Sequence, residues 1–177
     1  MSLRRPEKTE FGSYFARYTG LVPEGKLTEV LQGQTERMLA LFGSLSEEDG
    51  SYRYAPDKWS VKQVLGHITD TERIMGYRML CIARGDASPL PGFDENRYAE
   101  AGEFDRLPLA DLLADFRVMR ASTLSLIGSL PESGWDRSGT VSGNAMTSRA
   151  LAYIIAGHAL HHLNVLEERY DAVIGKL

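Results

Sequence analysis

Four stretches of the chain repeat apolar residues at the spacing of an α-helix. They span residues 24–45, 60–83, 108–129 and 147–170. Within each stretch the apolar side chains recur every three or four positions, so they share one face of a helix. Strand-like alternation is hard to find. The pattern therefore predicts an all-α fold, an antiparallel four-helix bundle with long connections.

Local signals indicate where these helices begin. Pro23 suits the start of the first helix, and Ser60 with Gln63 forms a capping-box pattern at the start of the second. Residues 11–18 predict a short aromatic helix that covers one end of the bundle. At 177 residues the chain is most simply one domain, 1–177, in which residues 1–20 form an N-terminal extension.

The connections between the helices differ in length. Residues 46–59 join the first two helices, and residues 131–146, rich in Gly and Ser, join the last two. The link formed by residues 84–107 is much longer, and long structureless connections in compact domains are often functional. We therefore expect this link to border the functional site as a lid. It also permits a connectivity other than up-down-up-down.

Composition narrows the classes of protein and partner. The contents of hydrophobic residues (43%) and charged residues (25%) are ordinary for a soluble globular protein. The net charge of -4 and the lack of a basic stripe argue against a nucleic-acid partner. No stretch approaches the roughly 20 apolar residues that span a bilayer, and the N-terminus lacks the apolar run of a signal peptide. The single cysteine, Cys81, fits a reducing cytoplasm, where we expect the protein to be located.

The histidines are the clearest candidates for chemistry. Of four in the chain, three lie within residues 158–162. His158 and His162 are four residues apart, so they share an apolar helix face on which two imidazoles are costly to bury unpaired. A divalent metal would pair with both, and His67 on the second helix would be the third ligand. Ala159 follows His158 where a zinc protease of the His-Glu type has its glutamate, so we reject that activity.

Other interpretations of the same residues remain open. A lone histidine on an apolar face, such as His67 taken alone, is usually a core residue with satisfied hydrogen bonds. His161 is offset by three residues from His158, which favours a role behind the metal ligands or on the surface. Gly66 and Gly157 flank two of the histidines and suggest a close approach of the helices there. Zinc is the safest choice of metal, with nickel, iron, manganese or copper as alternatives.

Two further residues are candidates for a role beside the metal or the substrate. Glu72 lies on the apolar stripe of the second helix. Its carboxylate would either accept a hydrogen bond from an imidazole N–H or pair with an arginine such as Arg120 or Arg149. Tyr98 belongs to the long link and could contact substrate. Cys81 has no recognisable cationic neighbour, so we interpret it as a small apolar residue.

Several strings together resemble a known family. They are YRYAPDKWSV at 52–61, LGH at 65–67, DTER at 70–73, ARGD at 83–86, PLPGFD at 89–94, GH at 157–158 and HH at 161–162. These strings are similar to the DinB-like superfamily of small four-helix metal-binding proteins, over most of residues 20–170. The resemblance implies that one histidine of the second helix and a His-x-x-x-His pair of the last helix bind the metal, which matches His67, His158 and His162. It also implies a homodimer.

The resemblance and the predicted site lead to competing hypotheses of function. Three imidazoles leave a coordination position open, where a metal could activate a thiol or water. The first hypothesis is a metal-dependent enzyme acting on a small molecule. It is either an S-transferase that uses a low-molecular-weight thiol such as bacillithiol or mycothiol, as the family implies, or a hydrolase. The second is a non-catalytic metal-binding protein of the stress response. The third is a metal-free helical interaction module.

Overall fold

The computed structural model of the chain describes residues 3–175, so the ends of the predicted domain 1–177 lie outside the described residues. In chain order its α-helices and strands are α1 (Ala16–Thr19), α2 (Leu27–Gly43), α3 (Glu47–Ser51), α4 (Val61–Arg84), α5 (Glu95–Ala101), α6 (Leu109–Ser129), α7 (Glu132–Trp135), β1 (Ser138–Val141), β2 (Asn144–Thr147), α8 (Ser148–Arg169) and α9 (Asp171–Ile174). Short 3-10 helices lie at Lys8–Glu10, Ser13–Phe15 and Phe104–Arg106. Within the described residues no helix is long and apolar enough to cross a membrane.

The four long helices, α2, α4, α6 and α8, confirm the predicted four-helix bundle. The start of α4 is fixed by the predicted capping box, because Ser60 Oγ accepts from the Gln63 N–H and Gln63 Oε1 accepts from the Ser60 N–H, both at 3.0 Å. The helix ends at Arg84 and is followed by Gly85, whose φ of 84° is left-handed. The first long helix begins at Leu27, three residues later than predicted.

Two apolar core clusters show the direction in which each long helix runs. The first core cluster contains Leu31, Met79, Ile127 and Ile154, and the second contains Met38, Leu65, Leu112 and Leu163. Along the chain, α2 and α8 therefore pass from the first cluster to the second, whereas α4 and α6 pass the opposite way. Since α4 packs against both α6 and α8, it is parallel to α6 and antiparallel to α8. The long link returns along the bundle between α4 and α6, which explains its length.

A polar layer lies between the two core clusters. Arg120 Nη1 donates to Gln34 Oε1 and to the Leu31 carbonyl, both at 3.0 Å, and the Arg120 guanidinium also pairs with Glu72. Gln34 Nε2 donates in turn to the Ala156 carbonyl at 2.9 Å. The network thus touches all four long helices. It meets α8 at Ala156, two residues before His158.

A β-hairpin, which the sequence analysis did not predict, precedes α8. Strands β1 and β2 pair antiparallel, with Val141 opposite Asn144. The turn between them places Ser142 at φ 49° and Gly143 at φ 78°, the left-handed values that a tight hairpin turn requires. Leu90 of the long link adds a bridge to Val141. The Gly- and Ser-rich connection therefore has regular structure and anchors the link.

The N-terminal aromatic segment lies elsewhere than predicted. Instead of covering an end of the bundle, α1 packs along the middle of α8, where the Tyr18 ring contacts His158. Gly157 permits this contact, since a Cβ added there would lie 2.0 Å from the Tyr18 carbonyl oxygen. At Gly66 an added Cβ would lie 2.5 Å from the Phe104 ring. The two glycines therefore admit Tyr18 and Phe104 and do not bring α4 against α8, which corrects the expectation from the sequence.

Candidate metal centre

Helix capping sets the register of the histidines. Thr147 Oγ1 accepts a hydrogen bond from the Ala150 N–H at 3.1 Å, which caps the first turn of α8. From that start, His158 and His162 fall one turn apart on the face that meets α4. His67 lies in the second turn of α4 and faces them. Local sequence thus determines where along each helix an imidazole projects, and packing of α4 against α8 brings the imidazoles together.

Three histidine rings converge on one point in the bundle. His67 Nε2 lies 3.0 Å from His158 Nε2, and His162 Nε2 lies 3.2 Å from the same atom. One ring nitrogen from each histidine belongs to a group whose members are all within 4.8 Å of one another. His67 and His158 are buried, and His162 is partly buried. These are the three residues that the sequence analysis predicted as metal ligands.

Hydrogen bonds alone cannot satisfy the three converging ring nitrogens. A neutral imidazole nitrogen either donates one hydrogen or offers one lone pair, so His158 Nε2 cannot satisfy two other ring nitrogens at once. A cation between the rings would accept a lone pair from each. In a tetrahedral site with metal–nitrogen bonds of about 2.0–2.1 Å, two ligand nitrogens are about 3.3–3.4 Å apart. The two separations measured from His158 Nε2, 3.0 and 3.2 Å, are close to that value, so the donor set fits a divalent metal.

Burial keeps these imidazoles neutral. Desolvation lowers the pKa of His67 to about 4, with a smaller contribution from His161. Desolvation, followed by the neighbouring histidines, also lowers the pKa of His158 and His162 well below the usual value. The unprotonated imidazole is the form that binds metals. At neutral pH all three rings are therefore available as ligands.

Two aromatic rings enclose the histidine cluster. The Trp59 ring lies 4.6 Å from the His67 ring and stacks on His162 at 6.4 Å, measured between ring centroids. The Tyr18 ring meets His158 edge-on at 5.3 Å and His161 at 5.5 Å. These contacts restrict the imidazoles to few orientations. They also remove water from two sides of the cluster.

The three additional candidates from the sequence have different positions. His161 lies outside the converging group, with its ring 5.0 Å from the His162 ring. Glu72 pairs with Arg120 within the polar layer, which decides between the two roles considered for its carboxylate. Tyr98 is about half exposed, and its ring packs against Phe93 at 5.2 Å.

A cavity of about 520 Å³ opens beside the histidine cluster. It lies between α1, α4, α8, the long link and the hairpin. Besides the four histidines, its lining includes Arg17, Tyr18, Trp59, Thr71, Met75, Arg78, Phe93, Glu95, Ser142 and Asn144. The long link therefore borders the cavity, as a lid would. A small molecule in the cavity would reach both the imidazoles and this link.

Several lining residues had no assigned role in the sequence analysis. Arg78 and Thr71 could have been found, because they follow His67 at spacings of eleven and four residues, which place them on the same face of α4. Glu95 lies in the link that was expected to border the site. Ser142 and Asn144 offered no local signal, since the return of the hairpin onto the bundle is a long-range contact.

A helical bundle with converging histidines beside a cavity defines a class of proteins whose core can host a metal. Within this class, the chain belongs to the DinB superfamily, whose sequence profile matches residues 31–166.

Individual relatives agree with this assignment. The chain is 28% identical over 136 residues to the Oceanobacillus iheyensis protein named "Putative metal-dependent hydrolase OB0413", covering 75% of this chain and 77% of the relative. Its fold matches that of YfiT from Bacillus subtilis with a TM-score of 0.74 and 16% identity, over 83% of this chain and 85% of YfiT. YfiT is described as "a probable metal-dependent hydrolase with an unusual four-helix bundle topology".

The fold also matches a thiol-dependent enzyme. The TM-score against the mycothiol-dependent maleylpyruvate isomerase is 0.66 at 12% identity, over 82% of this chain and 61% of the isomerase. At this low sequence identity the match shows only that the two proteins share a fold.

Proposed function

We propose that His67, His158 and His162 hold a divalent metal ion, and that the protein is a metal-dependent enzyme acting on a small molecule in the adjoining cavity. The observation that carries this proposal is the convergence of three neutral ring nitrogens that hydrogen bonds cannot all satisfy. Three protein ligands leave one position of a tetrahedral ion open, which is typical of catalytic sites. Zinc is our first choice of metal, with nickel, iron or manganese as alternatives.

Residues around the cavity would hold the metal ion, orient its ligands and position the reactants. A divalent cation held by the imidazoles lowers the pKa of a thiol or water that coordinates it, and so supplies a nucleophile. Trp59 and Tyr18 fix the orientation of the imidazoles and exclude water from them. Phe93 of the long link borders the cavity from the side, where it would position a second reactant.

We favour S-transfer from a low-molecular-weight thiol as the reaction. A coordinated thiol is deprotonated outright, so the reaction needs no general base next to the imidazoles. The carboxylate that shares the α4 stripe, Glu72, is engaged by Arg120 and cannot serve as that base. The cavity volume of about 520 Å³ falls within the range of small-molecule sites, about 300–1,000 Å³. One structural neighbour is named as mycothiol-dependent, which agrees with this choice.

Hydrolysis is the second candidate, and Glu95 is the residue that favours it. Its carboxylate lines the cavity and would act there as a general base on water. Two relatives are named as metal-dependent hydrolases. Absence of any turnover would favour the remaining alternative, a non-catalytic metal-binding protein of the stress response.

Metal analysis of the purified protein tests the metal site. Protein made without a metal-binding affinity tag should contain about one divalent ion per chain. The His162→Ala variant should lose the ion while circular dichroism shows an intact helical fold. The His161→Ala variant is the matched control and should keep it. Loss of the ion from the His161 variant alone, or no binding by the unmodified protein after incubation with zinc, would refute the assignment.

Two activity panels separate the candidate reactions. Metal-loaded protein should consume a small thiol in the presence of electrophiles, and this activity should survive Glu95→Gln because no carboxylate is needed. A hydrolase would instead cleave esters or amides without added thiol, and Glu95→Gln would slow that cleavage by about 10²–10⁴-fold, as expected for loss of a general base.

We also propose that the protein works as a cytoplasmic homodimer. Tyr77 and Leu80 leave apolar surface exposed one turn apart on α4, which agrees with a partner subunit. Sedimentation at micromolar concentration should give twice the chain mass of 19.7 kDa. A sedimentation mass equal to that of one chain would contradict the dimer.

A further inference from the structure

Arg78 is a buried cation in the wall of the histidine cavity. Its residue is only 3% exposed, yet no carboxylate of residues 3–175 lies within ion-pair distance of its guanidinium. Nη2 donates to the Pro91 carbonyl, and Nη1 lies 3.5 Å from Met75 Sδ, a weak acceptor. The guanidinium also lies 5.7 Å from the centre of the Phe93 ring. Arg78 has therefore lost much of its hydration without gaining a counter-charge.

The other buried arginines of the described chain show how unusual a buried guanidinium without a carboxylate partner is. Arg120 pairs with Glu72, and Arg149 pairs with Asp136. Each of these guanidinium groups has an anion supplied by the protein. Only Arg78 among them lacks one, and it is the one that lines the cavity beside the histidines. The missing anion is thus explained if a ligand supplies it.

A second polar group in the same wall has no partner. Thr71 is 3% exposed, and its Oγ1 makes no hydrogen bond within the described residues. His67, Thr71, Met75 and Arg78 follow one another at spacings of four, four and three, so they form a line along one face of α4. The helix rise of about 1.5 Å per residue places the Cα atoms of His67 and Arg78 about 16 Å apart. The Arg78 side chain reaches back toward Met75, which shortens the gap to the imidazoles.

The charge of the cavity suits a single negative group. In the metal-free protein, with the histidines neutral, the ionised side chains of the cavity are Arg17, Arg78 and Glu95, which sum to one positive charge. Apart from Thr71, Ser142 and Asn144, the uncharged lining is mainly apolar or aromatic, including Met75, Phe93 and Trp59. A ligand that fits both features is an elongated monoanion with an apolar body.

We infer that the substrate is a monocarboxylate whose carboxylate binds Arg78 and whose apolar or aromatic body extends toward the histidine cluster. A carboxylate oxygen replaces Met75 Sδ as the acceptor for Nη1 and makes a charge-assisted hydrogen bond. Thr71 Oγ1 offers a hydrogen bond along the body of the ligand. The position of the reactive end rests on the proposed function, whereas the carboxylate site rests on Arg78 alone.

Calorimetric titration of the metal-free protein tests the carboxylate site. The probes are ω-phenylalkanoates, from phenylacetate to 6-phenylhexanoate, each compared with its neutral primary amide at physiological salt. At least one carboxylate should bind about tenfold more tightly than its amide, since only the carboxylate compensates the guanidinium. The inference is overturned if no carboxylate of the series binds more tightly than its amide.

Variants of α4 test whether Arg78 causes the preference for carboxylates over amides. Arg78→Gln should bring each carboxylate to within about twofold of its amide, because the charged partner is gone. Arg84→Gln removes an exposed arginine of the same helix and should keep the preference. A preference that persists in Arg78→Gln overturns the inference. If Arg78→Gln fails to fold, Arg78→Lys keeps the positive charge and must keep a preference for carboxylate.

The same titration separates this inference from the proposed function. His162→Ala removes a proposed metal ligand but leaves Arg78 in place, so each carboxylate should still bind more tightly than its own amide, even if the affinity of both probes changes. If the protein binds no metal but still prefers carboxylates, the proposed function is refuted and the Arg78 site is supported. A protein that binds metal but shows no preference for carboxylates would overturn the Arg78 site alone.

Discussion

Arg120 holds the carboxylate of Glu72 in a two-pronged ion pair at the centre of the bundle. Its Nε lies 2.8 Å from Oε1, and its Nη2 lies 2.8 Å from Oε2. The two side chains are 1% and 2% exposed. Because Arg120 also donates to Gln34, the pair links α4 and α6 to α2 at the level of the histidines. We therefore expect it to hold the long helices in position around the cavity.

Removing one partner of this pair should be strongly destabilising. Arg120→Met should lower the free energy of unfolding by about 3–5 kcal/mol, because Glu72 is left buried without a counter-charge. The double variant Glu72→Met/Arg120→Met should recover part of this loss, since neither charge remains. Urea denaturation measures both. The control Arg73→Ala breaks exposed ion pairs with Asp70 and Asp115 and should cost at most about 1 kcal/mol. If Arg120→Met and Arg73→Ala lowered the free energy of unfolding by the same amount, burial would not be the reason that the Glu72–Arg120 pair stabilises the fold.

The metal-free protein should lose stability as the pH falls from about 6.5 toward 4. The folded-state pKa of His67, about 4, lies below its unfolded value near 6.5, so the unfolded chain binds the proton first. Its contribution is therefore fully present above pH 6.5 and decreases at about 1.4 kcal/mol per pH unit below it, or about 2 kcal/mol by pH 5. Urea denaturation at pH 7 and pH 5 measures the decrease, which His67→Gln should reduce. Equal stability at the two pH values would show that the imidazoles are not desolvated.

Gly157→Ala should be destabilising although alanine normally favours a helix. The added methyl would collide with the Tyr18 carbonyl and push α1 away from α8, with an expected loss of about 1–3 kcal/mol. Gly33→Ala in α2 is the control, since nothing lies within 4 Å of its added Cβ. That variant should gain up to about 1 kcal/mol. Urea denaturation of the two proteins should give changes of opposite sign, and a gain in both would mean that α1 moves aside freely.

Removing the metal should lower the melting temperature. A ligand that binds only the folded state stabilises it, by about 4 kcal/mol at a free concentration one thousand times its dissociation constant. Treatment with a chelator should therefore lower the melting temperature in a thermal scan, and added zinc should restore it. His162→Ala should be insensitive to both treatments. A chelator without effect on the unmodified protein would favour a metal-free helical interaction module.

The helices and the candidate ligands could be predicted from the sequence because their signals are local. Apolar spacing and the Ser60–Gln63 capping box placed α4 within one residue of its observed start. The spacing of His158 and His162 likewise follows from one helical turn. The hairpin at 138–147 was missed because its strands are only four residues long and their pairing depends on the Ser142–Gly143 turn.

What the sequence determined by itself is therefore the existence of each long helix and the face on which each histidine projects, since both depend on residues within a few turns. The tertiary structure decided the parallel course of α4 and α6, the choice of Arg120 as the partner of Glu72, and the position of Tyr18 against His158. It also decided that Arg78 would be buried without an anion. These features join residues that are distant along the chain, and helical spacing does not specify which face of one helix meets which face of another. Close packing of whole helices selects among those pairings.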